Sequence, residues 1–188
     1  MIMFTRYYPS EYVEDVFTID YAKLYRQGFR ALIFDIDNTL VPHGGDSTEK
    51  VDRLFERLHG MGFKTLLLSN NSEERILRFI RNIDTAYIYD AEKPNHVGFQ
   101  SSVVQLGVGY NEAVVIGDQV FTDILGANRA GLSSILVKYI GYYKKEKKGI
   151  KRNLEKIILY LYRHSRYQFR LGNLQLNINP YGKEETLL

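Results

Sequence analysis

The chain has no cysteine among its 188 residues. This absence excludes disulfide bonds, thiolate metal sites and a cysteine nucleophile. The 4 histidines are scattered without metal-ligand spacing, so a zinc site is not expected. No apolar run approaches the roughly 20 residues of a transmembrane helix, and the N-terminus lacks the basic stretch and apolar core of a signal peptide. We therefore expect a cytoplasmic protein.

The composition is that of an ordinary globular domain, with 45% hydrophobic and 25% charged residues. A chain of this length can bury a full two-sided core as one domain. We predict a single domain over residues 1–170, which begins with an extension at 1–28 and includes a basic helix at about 150–166. The tail at 171–188 is predicted to fray because it holds two turn signals.

The small net charge of +3 hides an uneven distribution. Between Lys138 and Arg170 lie 11 of the 25 basic residues but only 2 of the 22 acidic ones, so this segment carries a net charge of +9. The rest of the chain carries 14 basic and 20 acidic residues, a net charge of −6. The separation indicates an anionic partner for the basic segment, whether a membrane, a nucleic acid or an acidic protein.

Short apolar runs alternate with amphipathic helical patterns along the chain. Each run is bounded by polar or turn residues, which is typical of strands buried on both faces of a sheet. Strands that alternate with helices form a parallel, doubly wound sheet, so we predict an α/β fold of about five strands with flanking helices. The predicted strands are Ala31–Phe34, Phe63–Leu68, Ala86–Tyr89, Ala113–Ile116 and Ser134–Val137.

Two carboxylates follow the first of these strands, Asp35 directly and Asp37 two positions later. In an open parallel sheet, ligands bind at the C-terminal ends of the strands. In an extended chain, side chains two residues apart point roughly the same way. Two negative charges at such a short distance repel each other, which is costly unless a cation or a shared proton lies between them. The pattern indicates a metal site, with a strand followed by an acidic capping loop as the alternative.

Polar side chains also follow three other predicted strands. Ser69 ends the second strand, Lys93 follows the third, and Asp118 ends the fourth, with Asp123 five residues later. Each residue alone has an ordinary structural explanation as a turn residue, a surface cation or a helix cap. Because adjacent parallel strands bring these positions to one edge, their occurrence together indicates a functional site there.

The combination fits phosphoryl transfer. Asp35 is placed to attack phosphorus and form an aspartyl-phosphate, and Asp37 to protonate the leaving alkoxide and then to activate water. A phosphate dianion repels a carboxylate, so cations are needed. Mg²⁺ prefers oxygen ligands, and Asp35, the backbone carbonyl of Asp37 and Asp118 could supply them. Lys93 would add a second positive charge, and Ser69 a hydroxyl donor.

Four motifs resemble those of the haloacid dehalogenase (HAD) superfamily, specifically its phosphatases. They are Asp35-x-Asp37-x-Thr39, Ser69, Lys93 and Gly117-Asp118-x4-Asp123. The resemblance spans about residues 30–138 and implies a Rossmann-like fold, Mg²⁺ dependence and the roles given above. It further implies that Thr39 orients Asp37 and that Asn70 binds phosphate together with Ser69 and Lys93. Asp123 would contact the metal ligands rather than the metal itself.

Longer segments resemble the YqeG-type subgroup of this superfamily, whose relatives include mitochondrial and plastid phosphatidylglycerophosphate phosphatases. The segments are Asp35-Ile-Asp37-Asn-Thr-Leu-Val, Ser69-Asn-Asn, Gly117-Asp-Gln-Val-Phe-Thr-Asp and Gly126-Ala-Asn-Arg-Ala-Gly. The resemblance implies a phospholipid substrate, phosphatidylglycerophosphate, and action at the inner face of a membrane.

The spacing of the motifs leaves no room for the cap domain that many HAD enzymes insert after the first or the second motif. We therefore expect an open, capless site. Such a site can accept a phosphate presented on a membrane, a protein or a polynucleotide. It can also be closed by another subunit, which would allow oligomerisation and a small substrate.

The leading hypothesis is a Mg²⁺-dependent phosphomonoesterase that acts on phosphatidylglycerophosphate, with the basic segment Lys144–Arg166 against an anionic membrane. The alternatives are a capless phosphatase of a nucleic-acid end, a phosphoprotein or a small phosphate ester, and a non-catalytic membrane- or ribosome-associated binding module. The last helix is predicted to pack its apolar face on the sheet, leaving its basic residues outside. That face holds Ile150, Leu154, Ile157, Ile158, Leu161 and Tyr162.

Overall fold

A computed structural model describes residues 2–140 and 150–176. Across this part of the chain, one sheet of six parallel strands has the order β1-β6-β5-β2-β3-β4. The predicted parallel α/β fold is confirmed. The strands are β1 (Glu11–Val13), β2 (Ala31–Phe34), β3 (Lys64–Leu68), β4 (Ala86–Ile88), β5 (Ala113–Gly117) and β6 (Ser133–Val137).

Helices follow most strands and begin where capping residues stand. Asp20 accepts a hydrogen bond from the backbone N–H of Lys23, and Thr48 accepts one from that of Val51, so each caps a helix N-terminus. The α-helices are α1 (Tyr21–Arg26), α2 (Glu49–Gly60), α3 (Glu73–Phe79), α4 (His96–Leu106), α5 (Leu125–Ala130) and α6 (Ile150–Arg163). Short 3₁₀ turns lie at Ile2–Tyr7, Val16–Thr18 and Tyr110–Glu112, and a π-helical turn at Val120–Ile124 runs into α5.

Both faces of the sheet are covered, because successive residues of each strand point to opposite sides. In the central strand β2, Leu32 and Phe34 pack with residues of α1, α2 and α3. Ala31 and Ile33 pack on the other face with residues of α4 and α5. Every residue of β2 is buried, so the strand that leads into Asp35 is held rigidly at the centre of the domain.

The sixth strand comes from the segment predicted as an N-terminal extension. In β1, Tyr12 pairs with Leu136 of β6 in parallel register. Val16 and Ile19, which follow β1, are fully buried in the core. The predicted five strands are present, and residues 2–28 are an integral part of the sheet and its core.

The beginning of the C-terminal tail packs against the N-terminal segment. Leu174 is fully buried, its carbonyl accepts a hydrogen bond from the N–H of Asp20, and the N–H of Leu176 bonds the carbonyl of Thr18. The prediction that the tail frays is therefore wrong for residues 171–176. Residues 177–188 lie outside the described part of the chain, as does the predicted basic run Lys144–Lys148.

The apolar face predicted for the last helix is divided in the structure. Ile158 and Tyr162 of α6 are buried in a cluster that contains Val120 and Leu136. Leu154, Ile157 and Leu161 instead remain 39%, 55% and 38% exposed. The prediction that all of these residues pack on the sheet is wrong, because only the side of α6 that carries Ile158 and Tyr162 meets the cluster around Val120 and Leu136. No helix among the described residues is both long and apolar enough to cross a membrane.

Candidate active site

The carboxyl ends of four strands meet at one edge of the sheet, where the sequence places its polar residues. β2 lies between β5 and β3 in the sheet, so Asp35 stands between Asp118 and Ser69. The backbone N–H of Asp35 extends the ladder by donating to the carbonyl of Ile116 at 2.9 Å. Lys93 follows β4 and reaches back across this edge. The site is thus assembled by the topology of a parallel sheet.

An acidic cluster occupies the centre of this edge. The carboxylates of Asp35, Asp118 and Asp123 each offer an oxygen within 4.8 Å of the others. Burial raises the pKa of Asp35 to about 6, with Lys93 opposing and Asp123 adding to the shift. Burial, with the charges of Asp123 and Asp35, raises the pKa of Asp118 to about 9. Three crowded carboxylate oxygens suit a hard divalent cation, because its charge offsets their repulsion.

Lys93 supplies the positive charge of the site. Its ammonium group lies 2.6 Å from Asp35 Oδ1 and 2.7 Å from Asp123 Oδ1. Burial lowers the pKa of Lys93, but the Asp123 and Asp35 carboxylates outweigh burial and raise the pKa above its ordinary value. Lys93 is therefore held as a cation between two acids.

Asp123 is brought to the cluster by the π-helical turn before α5. Its Oδ2 accepts the backbone N–H of Gln119 at 3.1 Å. Gly117, at the end of β5, faces this side chain so closely that a Cβ atom there would lie 2.5 Å from the Cβ of Asp123. The glycine in this motif is thus needed for space beside the cluster.

Thr39 contacts the cluster from the turn after β2. Its hydroxyl lies 3.0 Å from Asp35 Oδ2 and 3.4 Å from Asp118 Oδ1. The resemblance implied that Thr39 orients Asp37, whereas the hydroxyl bonds the two cluster acids instead. The turn that positions the Thr39 hydroxyl includes Asn38, whose φ of 65° lies in the left-handed region.

Asp37 lies outside the acidic cluster and is held by a separate group of donors. Its Oδ1 accepts from the backbone N–H of Gly44 at 2.8 Å and from Nη2 of Arg75 at 3.1 Å. Its Oδ2 accepts from the amide of Asn71 at 2.6 Å and lies 3.5 Å from Nδ1 of His43. Burial would raise the pKa of Asp37, but Gly44, Asn71 and Arg75 together lower it. These contacts hold the Asp37 side chain outside the cluster, and the predicted metal contact through its backbone carbonyl stays a prediction.

The segment after β3 carries three polar residues with different surroundings. The Ser69 hydroxyl oxygen accepts from the backbone and side-chain N–H groups of Asn71, at 3.2 and 3.0 Å, which leaves its own proton to donate. The Asn70 side chain accepts from the N–H of Lys93 at 2.7 Å and donates to its carbonyl at 3.3 Å. The Asn70 side chain therefore holds the backbone of Lys93, and its role in phosphate binding stays a prediction.

The sequence does not predict Asn71 or Arg75 as site residues. Asn71 lies in the Ser69-Asn-Asn segment, and its position next to two predicted site residues is the sequence signal that could have identified it. Arg75 lies in α3 and has no signal of its own, because its contact with Asp37 depends on how α3 packs against the loop after β2.

A cavity of about 640 Å³ opens beside Asp118 and Lys93. The C-terminal helix α6 forms one wall through residues that include Lys156 and Leu159. The space beside the acidic cluster is thus large enough for the remainder of a phosphate ester. Its apolar lining includes Val120, Phe121, Leu136 and Leu159.

Comparisons with known proteins agree with this geometry. The HAD-hydrolase-like family model matches residues 91–158. A Bacillus subtilis (strain 168) protein described as "Probable phosphatase YqeG" is 37% identical over 130 residues, covering 69% of this chain and 76% of the relative. The glyceraldehyde 3-phosphate phosphatase of Methanopyrus kandleri is 34% identical over 91 residues, which cover 44% of this chain and 39% of that protein.

Among solved structures, a hydrolase from Streptococcus pneumoniae TIGR4 has a TM-score of 0.50 at 16% identity, covering 70% of this chain and 98% of that one. This likeness supports the fold. Together the sheet, the acidic cluster and the sequence relatives define a HAD-type phosphatase. The chain belongs to the HAD superfamily, in the same family as the YqeG phosphatase.

Proposed function

We propose that the chain is a Mg²⁺-dependent phosphomonoesterase that converts phosphatidylglycerophosphate to phosphatidylglycerol at a membrane surface. The observation that carries the proposal is the position of α6. One side of this helix lines the cavity beside the acidic cluster, and another side exposes apolar residues to solvent. A phosphate held at the cluster would therefore lie close to whatever surface α6 contacts.

The chemical step is assigned to Asp35. Its carboxylate would attack phosphorus, and the bond from phosphorus to the leaving alkoxide oxygen would break as the aspartyl-phosphate forms. Because the pKa of Asp37 is held low, Asp37 would first take a proton from solvent and then give it to that oxygen. It would next take a proton from water as the water oxygen attacks the phosphorus and the bond from phosphorus to Asp35 breaks. Lys93 and the Ser69 hydroxyl would hold the phosphate oxygens.

The metal ligands proposed are Asp35, Asp118 and the backbone carbonyl of Asp37, with Asp123 behind them. The buried, mutually repelling carboxylates fit this role. When bound, Mg²⁺ would offset the negative charge of the phosphate and of the attacking carboxylate.

The surroundings of the cavity favour a lipid over a fully polar ester. Phe121 and Leu159 give it apolar walls, and Lys156 adds a cation. The exposed apolar residues of α6, Leu154 and Ile157, lie on the same helix as Lys156. A helix with an apolar stripe and basic neighbours is typical of elements that lie at the surface of an anionic bilayer.

A small phosphate ester is the second candidate, and the Methanopyrus kandleri relative favours it. That relative is described as a glyceraldehyde 3-phosphate phosphatase. The β2–α2 and β3–β4 connections, residues 35–48 and 69–85, hold loops and α3. We propose that no cap domain closes the site, so either kind of substrate could enter.

The test is phosphate release with and without Mg²⁺ from phosphatidylglycerophosphate in vesicles, glyceraldehyde 3-phosphate, a 5′-phosphorylated oligonucleotide and a phosphopeptide. Asp35→Asn serves as the control, because it removes the attacking charge with little change in volume. We expect the highest kcat/KM on the lipid, dependent on Mg²⁺ and absent in Asp35→Asn. A higher kcat/KM on a soluble substrate would reject the lipid assignment, and activity in Asp35→Asn would reject the mechanism.

A further inference from the structure

Arg75 joins the Asp37 carboxylate to the loop that covers it. The arginine extends from α3, and its side chain is only 11% exposed. Its Nη2 atom donates both to Asp37 Oδ1, at 3.1 Å, and to the carbonyl of Gly45, at 2.7 Å. Because a single nitrogen makes both contacts, a movement of residues 42–46 disturbs the bond to Asp37.

The other donors of Arg75 are not used in this arrangement. Nε and Nη1 are buried, and neither has a hydrogen-bond partner among the described residues. The guanidinium instead lies 5.6 Å from the centre of the Phe79 ring. Buried unpaired donors are costly. The arrangement is thus poorly explained by stability alone, and such departures are expected at functional sites.

The position of the Asp37 carboxyl group depends on donors from two elements. Gly44 donates from the loop after β2, while Asn71 and Arg75 donate from the β3–α3 region. Arg75 is the only charged donor of these three. It is also the only one of the three that reaches from another element to bond both Asp37 and the loop 42–46, so it ties the place of the carboxyl group to the position of the loop.

We propose that Arg75 is a positioning residue for the reaction, setting the place of the Asp37 carboxyl group and coupling it to the loop 42–46. The inference rests on the proposed role of Asp37 as the general acid and base. Arg75 acts through Asp37 and is not itself a phosphate ligand. Its loss should therefore matter only where proton transfer to the leaving group matters.

Arg78 is the matched control on the same helix. Its Nη2 donates to the carbonyl of Gly44 at 3.1 Å, and its Nε lies 2.7 Å from Asp46 Oδ1. It thus holds the same loop without contacting Asp37, and its side chain is 43% exposed. A defect caused by loosening the loop alone would appear in Arg78→Gln as well as in Arg75→Gln.

The experiment compares kcat and KM for glycerol 3-phosphate, whose alkoxide needs a proton, with those for p-nitrophenyl phosphate, whose leaving group does not. We expect Arg75→Gln to lower kcat on glycerol 3-phosphate at least about tenfold, within the range of general acid catalysis, and much less on p-nitrophenyl phosphate. KM should change little, and Arg78→Gln should leave the ratio of the two kcat values unaltered. The double variant Asp37→Asn/Arg75→Gln should lose no more activity than Asp37→Asn.

Equal losses on the two substrates in Arg75→Gln, or losses that multiply in the double variant, would overturn the inference. If Arg75→Gln does not fold, Arg75→Lys replaces it, since lysine keeps the charge but lacks the planar fork, and the same selective loss is expected. Asp37→Asn distinguishes a failure of the role proposed for Arg75 from a failure of the acid role proposed for Asp37. A selective loss in Asp37→Asn without one in the Arg75 variants rejects only the inference, whereas equal losses in Asp37→Asn reject both it and the acid role.

Discussion

The Lys93 ammonium and the Asp123 carboxylate form an ion pair at 2.7 Å, with only 4% and 1% of the two side chains exposed. The pair connects the segment after β4 to the π-helical turn before α5. Since the same ammonium also bonds Asp35, one lysine holds the proposed nucleophile next to Asp123 in the acidic cluster. Stability and chemistry are therefore coupled at this residue.

Replacing Lys93 by methionine should destabilise the protein strongly. The change leaves Asp35 and Asp123 without their buried cation, and breaking such a pair typically costs about 3–5 kcal/mol. Denaturant unfolding without metal measures the free energy of unfolding. Lys156→Met, at an exposed position of α6, should change it by less than about 0.5 kcal/mol, and a similarly small change in Lys93→Met would contradict the buried-pair argument.

Mg²⁺ should stabilise the wild-type protein, because the proposed metal site exists only in the folded chain, and an ion that binds only the folded state raises its stability. Asp118→Asn should lose most of this response. The same variant should be more stable than wild type without metal, since it removes one of three crowded carboxylates. Thermal unfolding with EDTA and with Mg²⁺ tests both effects, and an unchanged Mg²⁺ response in Asp118→Asn would remove Asp118 from the metal site.

Gly117→Ala should displace Asp123 and reduce activity. The added methyl would lie 2.5 Å from both Cβ and Cγ of Asp123, and overpacking of this kind costs about 1–3 kcal/mol. Gly60→Ala is the control, because a Cβ there meets nothing within 4 Å and alanine favours a helix. We expect the kcat of Gly117→Ala to fall while that of Gly60→Ala is unchanged. Normal kcat in both would mean that Asp123 need not keep its present position.

The exposed stripe of α6 should contribute to membrane binding. Leu154, Ile157 and Leu161 changed together to serine should weaken binding to phosphatidylglycerol vesicles at least about tenfold, because each apolar side chain adds on the order of 1 kcal/mol when buried. The rate on p-nitrophenyl phosphate should be unchanged. The double change Val97→Ser/Val104→Ser, at exposed positions of α4, is the control in a vesicle sedimentation assay. Equal binding by both variants would reject α6 as the contact.

The sequence predicts the strands that carry the site because each is a continuous apolar run. β2 to β6 lie within one residue of their predicted bounds. The strand β1, Glu11–Val13, escapes prediction because it has three residues, two of them polar or aromatic, and it belongs to the sheet only through its pairing with β6. No local pattern encodes a short edge strand whose partner lies more than 100 residues away in the chain.

The acidic residues of the site are predictable for a similar reason. Asp35 and Asp118 directly follow or end buried strands, so the sheet itself determines their position. The contact of Arg75 with Asp37 depends on the packing of α3 against a loop, and the divided apolar face of α6 depends on which neighbour the helix meets. Such features arise from tertiary packing, which periodicity cannot specify.

The contact between residues 171–176 and the N-terminal segment has a consequence for synthesis on the ribosome. Chains emerge N-terminus first, so the segment from β1 to Asp20 leaves the ribosome long before Leu174, whose carbonyl it bonds. All the motif residues, the last of which is Asp123, are exposed to the cell before that final contact can form. The backbone groups of Thr18 and Asp20 that bond the tail must therefore stay without these partners, or be shielded by other molecules, until translation has passed Leu176.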